Sequence, residues 1–300
     1  MDRREFIVRT AVGSVMGLAG ARALYEVFGH RISDGAATVL AAPLGKKFSA
    51  TDSVTLGKTG IQTSRLAMGS GTVGSGGSSN QTRMGENAFV RVLRNGYDNG
   101  LRFFDTADSY GSHPHVKEAL KHTDRSKVTV MTKSWHRDAK GMSSDLDRFR
   151  RELGTDYLDV VLIHCVTDGD WTTRYRPIMD VLSEAKQKGV IRSHGVSCHS
   201  IEALRAAAKS DWVDVDLVRI NPIGSHMDDD PDVVVSVMKE MKAKNIGLIG
   251  MKILGQGSMS RRQDEALKYA LGLNLLDSFT IGCESTTEQA DLFKRISAVA

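Results

Sequence analysis

Three hundred residues suffice for one large domain or two small ones, and a hydrophobic share of 41% is ordinary for a chain that builds a full core. The net charge is +4, of which the first fifty residues supply +3 through seven Lys/Arg against four Asp/Glu, so the body is nearly neutral and carries no electrostatic footprint for nucleic acid. Cys165, Cys198 and Cys283 are odd in number and lack the paired spacing of a metal site, so neither a disulfide framework nor a metal is expected.

The chain opens with Asp2-Arg3-Arg4-Glu5-Phe6-Ile7, twin arginines ahead of a mild apolar run from Ala11 to Ala19. That run is too short to span a bilayer comfortably. The pattern resembles a bacterial twin-arginine export signal, with candidate cleavage points after Ala23 or Ala41. Residues 1–41 therefore read as signal and linker, and the expected location is the periplasm. The competing reading is an ordinary N-terminal helix in a cytoplasmic protein.

Residues 53–64 look like a hairpin, with Lys58-Thr59-Gly60 turning between Val54-Thr55-Leu56 and Ile61-Gln62-Thr63. Beyond it, strand-like and helix-like runs alternate. Strands are expected to begin near Arg65, Arg102, Lys127, Asp159, Ile191, Val215, Ile246 and Ser278. Val160-Val161-Leu162-Ile163 is apolar on both faces, as suits a parallel sheet covered on both sides. The intervening segments carry helical stripes. These are Leu146, Phe149 and Leu153, then Ile178, Leu182 and Ala185, then Ile201, Leu204 and Ala208, then Val234, Val237 and Met241. Gly154 and Gly189 are stop signals, Ser200 is a cap, and Ser285-Thr286-Thr287-Glu288 is a capping box. Eight strand–helix units over residues 52–300 predict one (β/α)8 TIM barrel.

Three successive strand-like runs end in Asp105, Lys133 and His164, and Tyr110 follows the first by five residues. A barrel of this kind forms its active site at the C-terminal strand ends. A phenol is a poor acid at neutral pH until a nearby cation stabilises the phenolate, and Lys133 is the candidate cation. Each of these residues alone is weak; their coincidence at neighbouring strand ends is not. Gly69-Ser70-Gly71-Thr72-Val73-Gly74 matches a dinucleotide fingerprint in form only, because Ser75 to Asn80 is flexible Gly/Ser/Asn where a helix should open. Trp135, His136 and Trp171 fall in loops after the third and fourth strands and are candidates for a substrate pocket. His113 and His115 flank Pro114 and read as loop residues rather than metal ligands.

Taken together, the Gly100–Gly111 stretch, the Lys133 and His164 strands and Gly189-Val190-Ile191-Arg192-Ser193-His194-Gly195-Val196-Ser197 resemble an aldo-keto reductase, in that family's order, from about Val54 to the C-terminus. The resemblance implies a hairpin under the barrel floor and reduction of an aldehyde or ketone by NADP or NAD. It implies the catalytic set Asp105, Tyr110, Lys133 and His164. It also implies cofactor contacts from Gly71 and Thr72, from Ser197 and, at the position of a stacking tyrosine, from Met251. Cys198 and Leu217 stand where the family's asparagine and glutamine hold the nicotinamide carboxamide. Cys283 and Gln289 stand where a lysine and an arginine take the 2′-phosphate, with Glu284 adding negative charge; Lys252, Arg261 or Arg262 are the replacements. Ser285 opens a helix N-terminus able to receive an anion. The rival readings are a nucleotide-binding barrel with negligible turnover, acting as a sensor or partner subunit, and a metal-dependent lyase or hydrolase barrel. Cys165, directly after His164, is expected to point outward and be buried and unreactive.

Overall fold

The computed structural model describes residues 47–299, so the signal-like stretch and both candidate cleavage points lie outside the described residues. A short antiparallel hairpin, β1 (Ser53–Thr55) and β2 (Gln62–Ser64), precedes eight strands. These are β3 (Leu66–Gly69), β4 (Phe103–Asp105), β5 (Thr129–Ser134), β6 (Leu158–Val166), β7 (Ile191–Cys198), β8 (Val215–Arg219), β9 (Gly247–Met251) and β10 (Ser278–Ile281). They pair in parallel in chain order, and β10 closes on β3, giving the (β/α)8 barrel that the alternation of strand and helix signals predicts. Every strand starts within two residues of its expected position.

Period-two alternation divides the apolar side chains into two cores. Ala67, Phe103, Met131, Val160, Leu162, Val215, Leu217 and Ile249 fill the barrel interior. Phe104, Val130, Val161, Ile163, Val196 and Val218 point outward, against the helices. All four predicted helical stripes are buried in that outer layer. Gly154 ends its helix at φ 63, and Ser200 accepts the Ala203 N–H at 3.1 Å as an N-cap.

The hairpin plugs the barrel floor. Leu56 and Ile61 join the interior cluster, and the chain between them makes a 3-10 turn at Gly57–Thr59. Gly57 has to be glycine: its φ is +47, and a Cβ there would meet Gly247 N at 2.3 Å.

Several local expectations change. His113 and His115 lie in a helix, His113–Leu120, not in a loop. His113 is buried, with its ring nitrogens 2.6 Å from Glu152 Oε2 and 2.8 Å from Thr132 Oγ1. Trp171 lines no substrate pocket: it is wholly buried, donates its indole N–H to Ala203 O at 3.2 Å and packs edge-on against Trp212. Only half of the capping box forms as drawn. Ser285 Oγ accepts the Glu288 N–H, but Glu288 Oε2 reaches the N–H of Glu284 rather than that of Ser285.

Candidate active site

The C-terminal strand ends bring Asp105, Lys133 and His164 together, as neighbouring-strand register requires: Asp105 pairs with Met131 two residues before Lys133, and Lys133 pairs with Leu162 two residues before His164. Lys133 is fully buried. Its ammonium donates to Asp105 Oδ1 at 2.5 Å and to the Thr106 carbonyl at 2.6 Å. The other Asp105 oxygen accepts from Thr280 Oγ1 on β10 at 2.7 Å, so the carboxylate is held from both sides. Burial works against the lysine charge, yet Asp105 and Tyr110 outweigh it and raise the Lys133 pKa, keeping the ammonium charged.

Tyr110 lies at the end of a 3-10 turn, Asp108–Tyr110, with the Lys133 ammonium 4.9 Å from its ring centroid. The lysine acts in the expected direction, lowering the phenol's pKa. Burial is the larger influence, however, and the net shift is upward. The phenol therefore rests protonated, with a proton to give. Two glycines make room for the ring. A Cβ on Gly71 would meet Tyr110 Cε2 at 2.3 Å, and one on Gly74 would meet Cδ1 at 2.6 Å.

No helix opens directly after Gly74: Ser75 and Ser78 form an isolated bridge around a glycine turn, and the chain becomes helical only at Asn80. A one-turn helix at Asn80–Arg83 carries a reciprocal capping box between Ser79 and Thr82. Buried Gln81 accepts the Thr72 N–H at 3.0 Å and donates to Thr72 Oγ1 at 2.9 Å, while the Thr72 carbonyl accepts from Asn80 N. Thr72 thus has its backbone N–H, carbonyl and hydroxyl all engaged within the chain.

His164 points into the mouth, its ring 5.8 Å from that of Tyr110 in a T-shaped arrangement and 4.8 Å from that of Trp135. Burial lowers its pKa, so it is neutral at physiological pH. Asp108, which strand-end reasoning passed over, sits beside it: Oδ1 is 3.8 Å from His164 Nδ1, and Oδ2 accepts the Trp135 N–H at 3.0 Å. A second carboxylate three residues after Asp105 was the available signal. The next residue departs from expectation. Cys165 is a bulge with φ 55, and the β6–β7 register shifts across it. It is half-buried rather than sealed among the helices, although burial raises its thiol pKa. Arg137 clamps the bulge by donating to the carbonyls of His164 and Cys165. Trp135 is exposed, as is His136, whose Nε2 lies 3.7 Å from Asp145 Oδ1.

The residues expected at the cofactor divide into two groups. Met251 ends β9 at the edge of the interior cluster, and Lys252 follows it at φ 58. The Lys252 ammonium meets Gln256 Oε1 at 3.2 Å and, among the described residues, no carboxylate; burial, Arg219 and Lys133 lower its pKa. This unpaired cation at the mouth fits a phosphate-bearing group. Arg219, also missed in the sequence, faces inward from β8 and is paired with Asp228. Ser197 is wholly buried. Leu217 belongs to the interior core, whereas Cys198 faces outward and donates its S–H to Asp216 at 3.1 Å. Gln289 is spent inside the protein, accepting from Asn95 Nδ2 at 2.6 Å and donating to Val92 O at 3.3 Å. Cys283 is buried, its thiol pushed up to about 12. Arg262 is paired with Glu265; Arg261 is exposed. Glu284 Oε1 accepts from Asn80 Nδ2 at 2.7 Å.

A model of the Aldo/keto reductase family matches residues 65–297. The chain belongs to the aldo/keto reductase family. Among curated relatives, this family member is 27% identical over 150 residues to methylglyoxal reductase DkgB of Salmonella typhi, covering 47% of this chain and 55% of that one. The chain spans about half the length of the curated relatives it matches. Among solved structures it superposes on an aldo-keto reductase from Bacillus halodurans in its holo form, with a TM-score of 0.70, 18% identity and coverage of 83% and 91% of the two chains. It also superposes on an aldo/keto reductase from Klebsiella pneumoniae in complex with NADP and acetate, with a TM-score of 0.64, 19% identity and coverage of 82% and 90%. Both likenesses are of fold.

Proposed function

We propose that this aldo/keto reductase reduces an aldehyde or ketone to an alcohol with NADP or NAD, Tyr110 being the general acid. The observation that carries this reading is the buried Asp105–Lys133 pair set against a protonated Tyr110, with His164 beside it. A bound nicotinamide cofactor supplies the hydride. Tyr110 then gives its proton to the carbonyl oxygen as negative charge develops there, a contribution worth roughly 10²–10⁴ in rate. Lys133 stabilises the phenolate left behind, and Asp105 and Thr280 hold Lys133 in place. Neutral His164 orients the carbonyl oxygen through a ring N–H. Trp135 packs against the His164 ring at 4.8 Å on this side of the mouth.

Lys252 fits the cofactor's pyrophosphate, Met251 the nicotinamide ring, and the Ser285 helix start an anion. With Cys283 and Gln289 both buried, neither the lysine nor the arginine that would take a 2′-phosphate is supplied at these positions, and Glu284 is acidic; this favours acceptance of NAD. A barrel that binds nucleotide with negligible turnover is the second reading, motivated by Cys198 turning outward and by Gln81 occupying the Thr72 N–H and hydroxyl oxygen. A carbonyl panel assayed by nicotinamide absorbance with NADPH and NADH separates the two: the reductase reading requires carbonyl-dependent oxidation of one of them. A Kd for NADPH about tenfold below that for NADH, a gap of ~1.4 kcal/mol, would overturn the NAD argument.

Export through Arg3-Arg4 is the proposed route to the periplasm. Replacing both with lysine should leave the protein in the cytoplasmic fraction; unchanged periplasmic recovery would contradict it.

A further inference from the structure

A second cavity, of about 320 Å³, opens at the opposite end of the barrel, between the hairpin and the N-terminal ends of β4, β5 and β7. That size is within the range of small-molecule sites. Its chemistry is one-sided. Among the described residues that line it, three are cations, Arg102, Lys127 and Arg192, one is apolar, Val128, the rest carry hydroxyls or amides, and none is a carboxylate.

Of the three, Arg102 alone meets no carboxylate among the described residues. Arg102 donates to the carbonyls of Tyr97 at 2.8 Å and Leu101 at 2.7 Å and lies over the Tyr97 ring, so it is held in place without meeting a carboxylate. Arg192 donates to Asp159 at 2.7 Å, but the other Asp159 oxygen already serves Arg125 at 2.8 Å and the Val130 N–H at 3.0 Å. One carboxylate is thus shared by two guanidiniums. Lys127 pairs with exposed Asp124 at 3.1 Å. Among the described residues, the three lining cations thus meet two carboxylates, Asp159, which is shared with Arg125, and the exposed Asp124. On the neutral side, the side chains of Ser53, Gln62 and Thr129 make no hydrogen bond among the described residues, although Thr129 is 2% exposed. Fixed guanidiniums with spare donors are matched to phosphate oxygens, and unspent hydroxyl and amide groups to a polyol.

We propose that this floor cavity is a second binding site, for a small phosphate monoester of a polyol. The phosphate sits against Arg102, Arg192 and Lys127, and the hydroxyls of the ligand meet Ser53, Gln62 and Thr129. The site is separate from the mouth: Thr129 and Lys133 are four residues apart on β5, roughly 13 Å at ~3.3 Å per residue. It stands whether or not the mouth reduces carbonyls.

Titration calorimetry on the full chain, with the mouth cations covered by saturating NADH, tests it. Glucose 6-phosphate or glycerol 3-phosphate should bind with one site per chain, and glucose should not. Arg102→Ala should weaken binding at least about tenfold and Lys127→Ala about threefold, with carbonyl turnover unchanged. If Arg102→Ala does not fold, Lys127→Ala and Gln62→Ala carry the test. The proposal is overturned if neither phosphate binds the wild type, if these variants bind as the wild type does, or if Lys252→Ala at the mouth abolishes binding.

Discussion

At the scale of single residues, the site depends on groups that bracket Tyr110. Lys133 and Asp105 act from below; Gly71 and Gly74 yield the space its ring occupies. Asp105, Lys133 and His164 were legible because each lies within two residues of the C-terminal end of its strand, and those ends of a barrel face one mouth. The engagement of Thr72 by Gln81 and of Gln289 by Asn95 was not legible, since hydrogen bonding between segments leaves no periodic trace. A prediction follows for Gly71→Ala: the added Cβ pushes on the phenol, so kcat should fall at least about tenfold while the folded state survives. Near-normal kcat with an intact fold would mean that the ring position is not critical.

At the scale of elements, the strands and helices were readable from period and caps, but their irregularities were not. Cys165 has the composition of an ordinary strand residue, and only the β6–β7 register exposes it as a bulge held by Arg137. Trp171 sits in a stretch that reads as loop, yet burial makes it core. β7 leaves no room for a side chain at Gly195, where a Cβ would lie 1.8 Å from the Val215 carbonyl oxygen. Gly195→Ala must separate β7 from β8 and should cost more than ~3 kcal/mol, an exceptional loss for one methyl group. Urea denaturation measures it; an unchanged midpoint would show that the two strands are not packed so closely.

At the scale of the whole molecule, stability should fall on the acid side for an identifiable reason. His194 is 5% exposed, stacked on Trp212 at 4.2 Å, and burial lowers its pKa from 6.5 to about 4. The unfolded chain binds that proton near pH 6.5 and the folded chain only near 4, so stability declines as pH falls through this window, by up to about 3 kcal/mol. His194→Gln should be less stable at neutral pH but show a shallower decline in Tm between pH 6.5 and 4; parallel curves would exclude His194 as the cause. The barrel as a whole supports one central claim, that Tyr110 is the proton donor of a carbonyl reductase. The most direct measurement is carbonyl-dependent oxidation of reduced cofactor by the wild type and Tyr110→Phe, with cofactor affinity followed by fluorescence in both. The account predicts turnover reduced by roughly 10²-fold or more with cofactor binding retained. Near-normal turnover by Tyr110→Phe would contradict it.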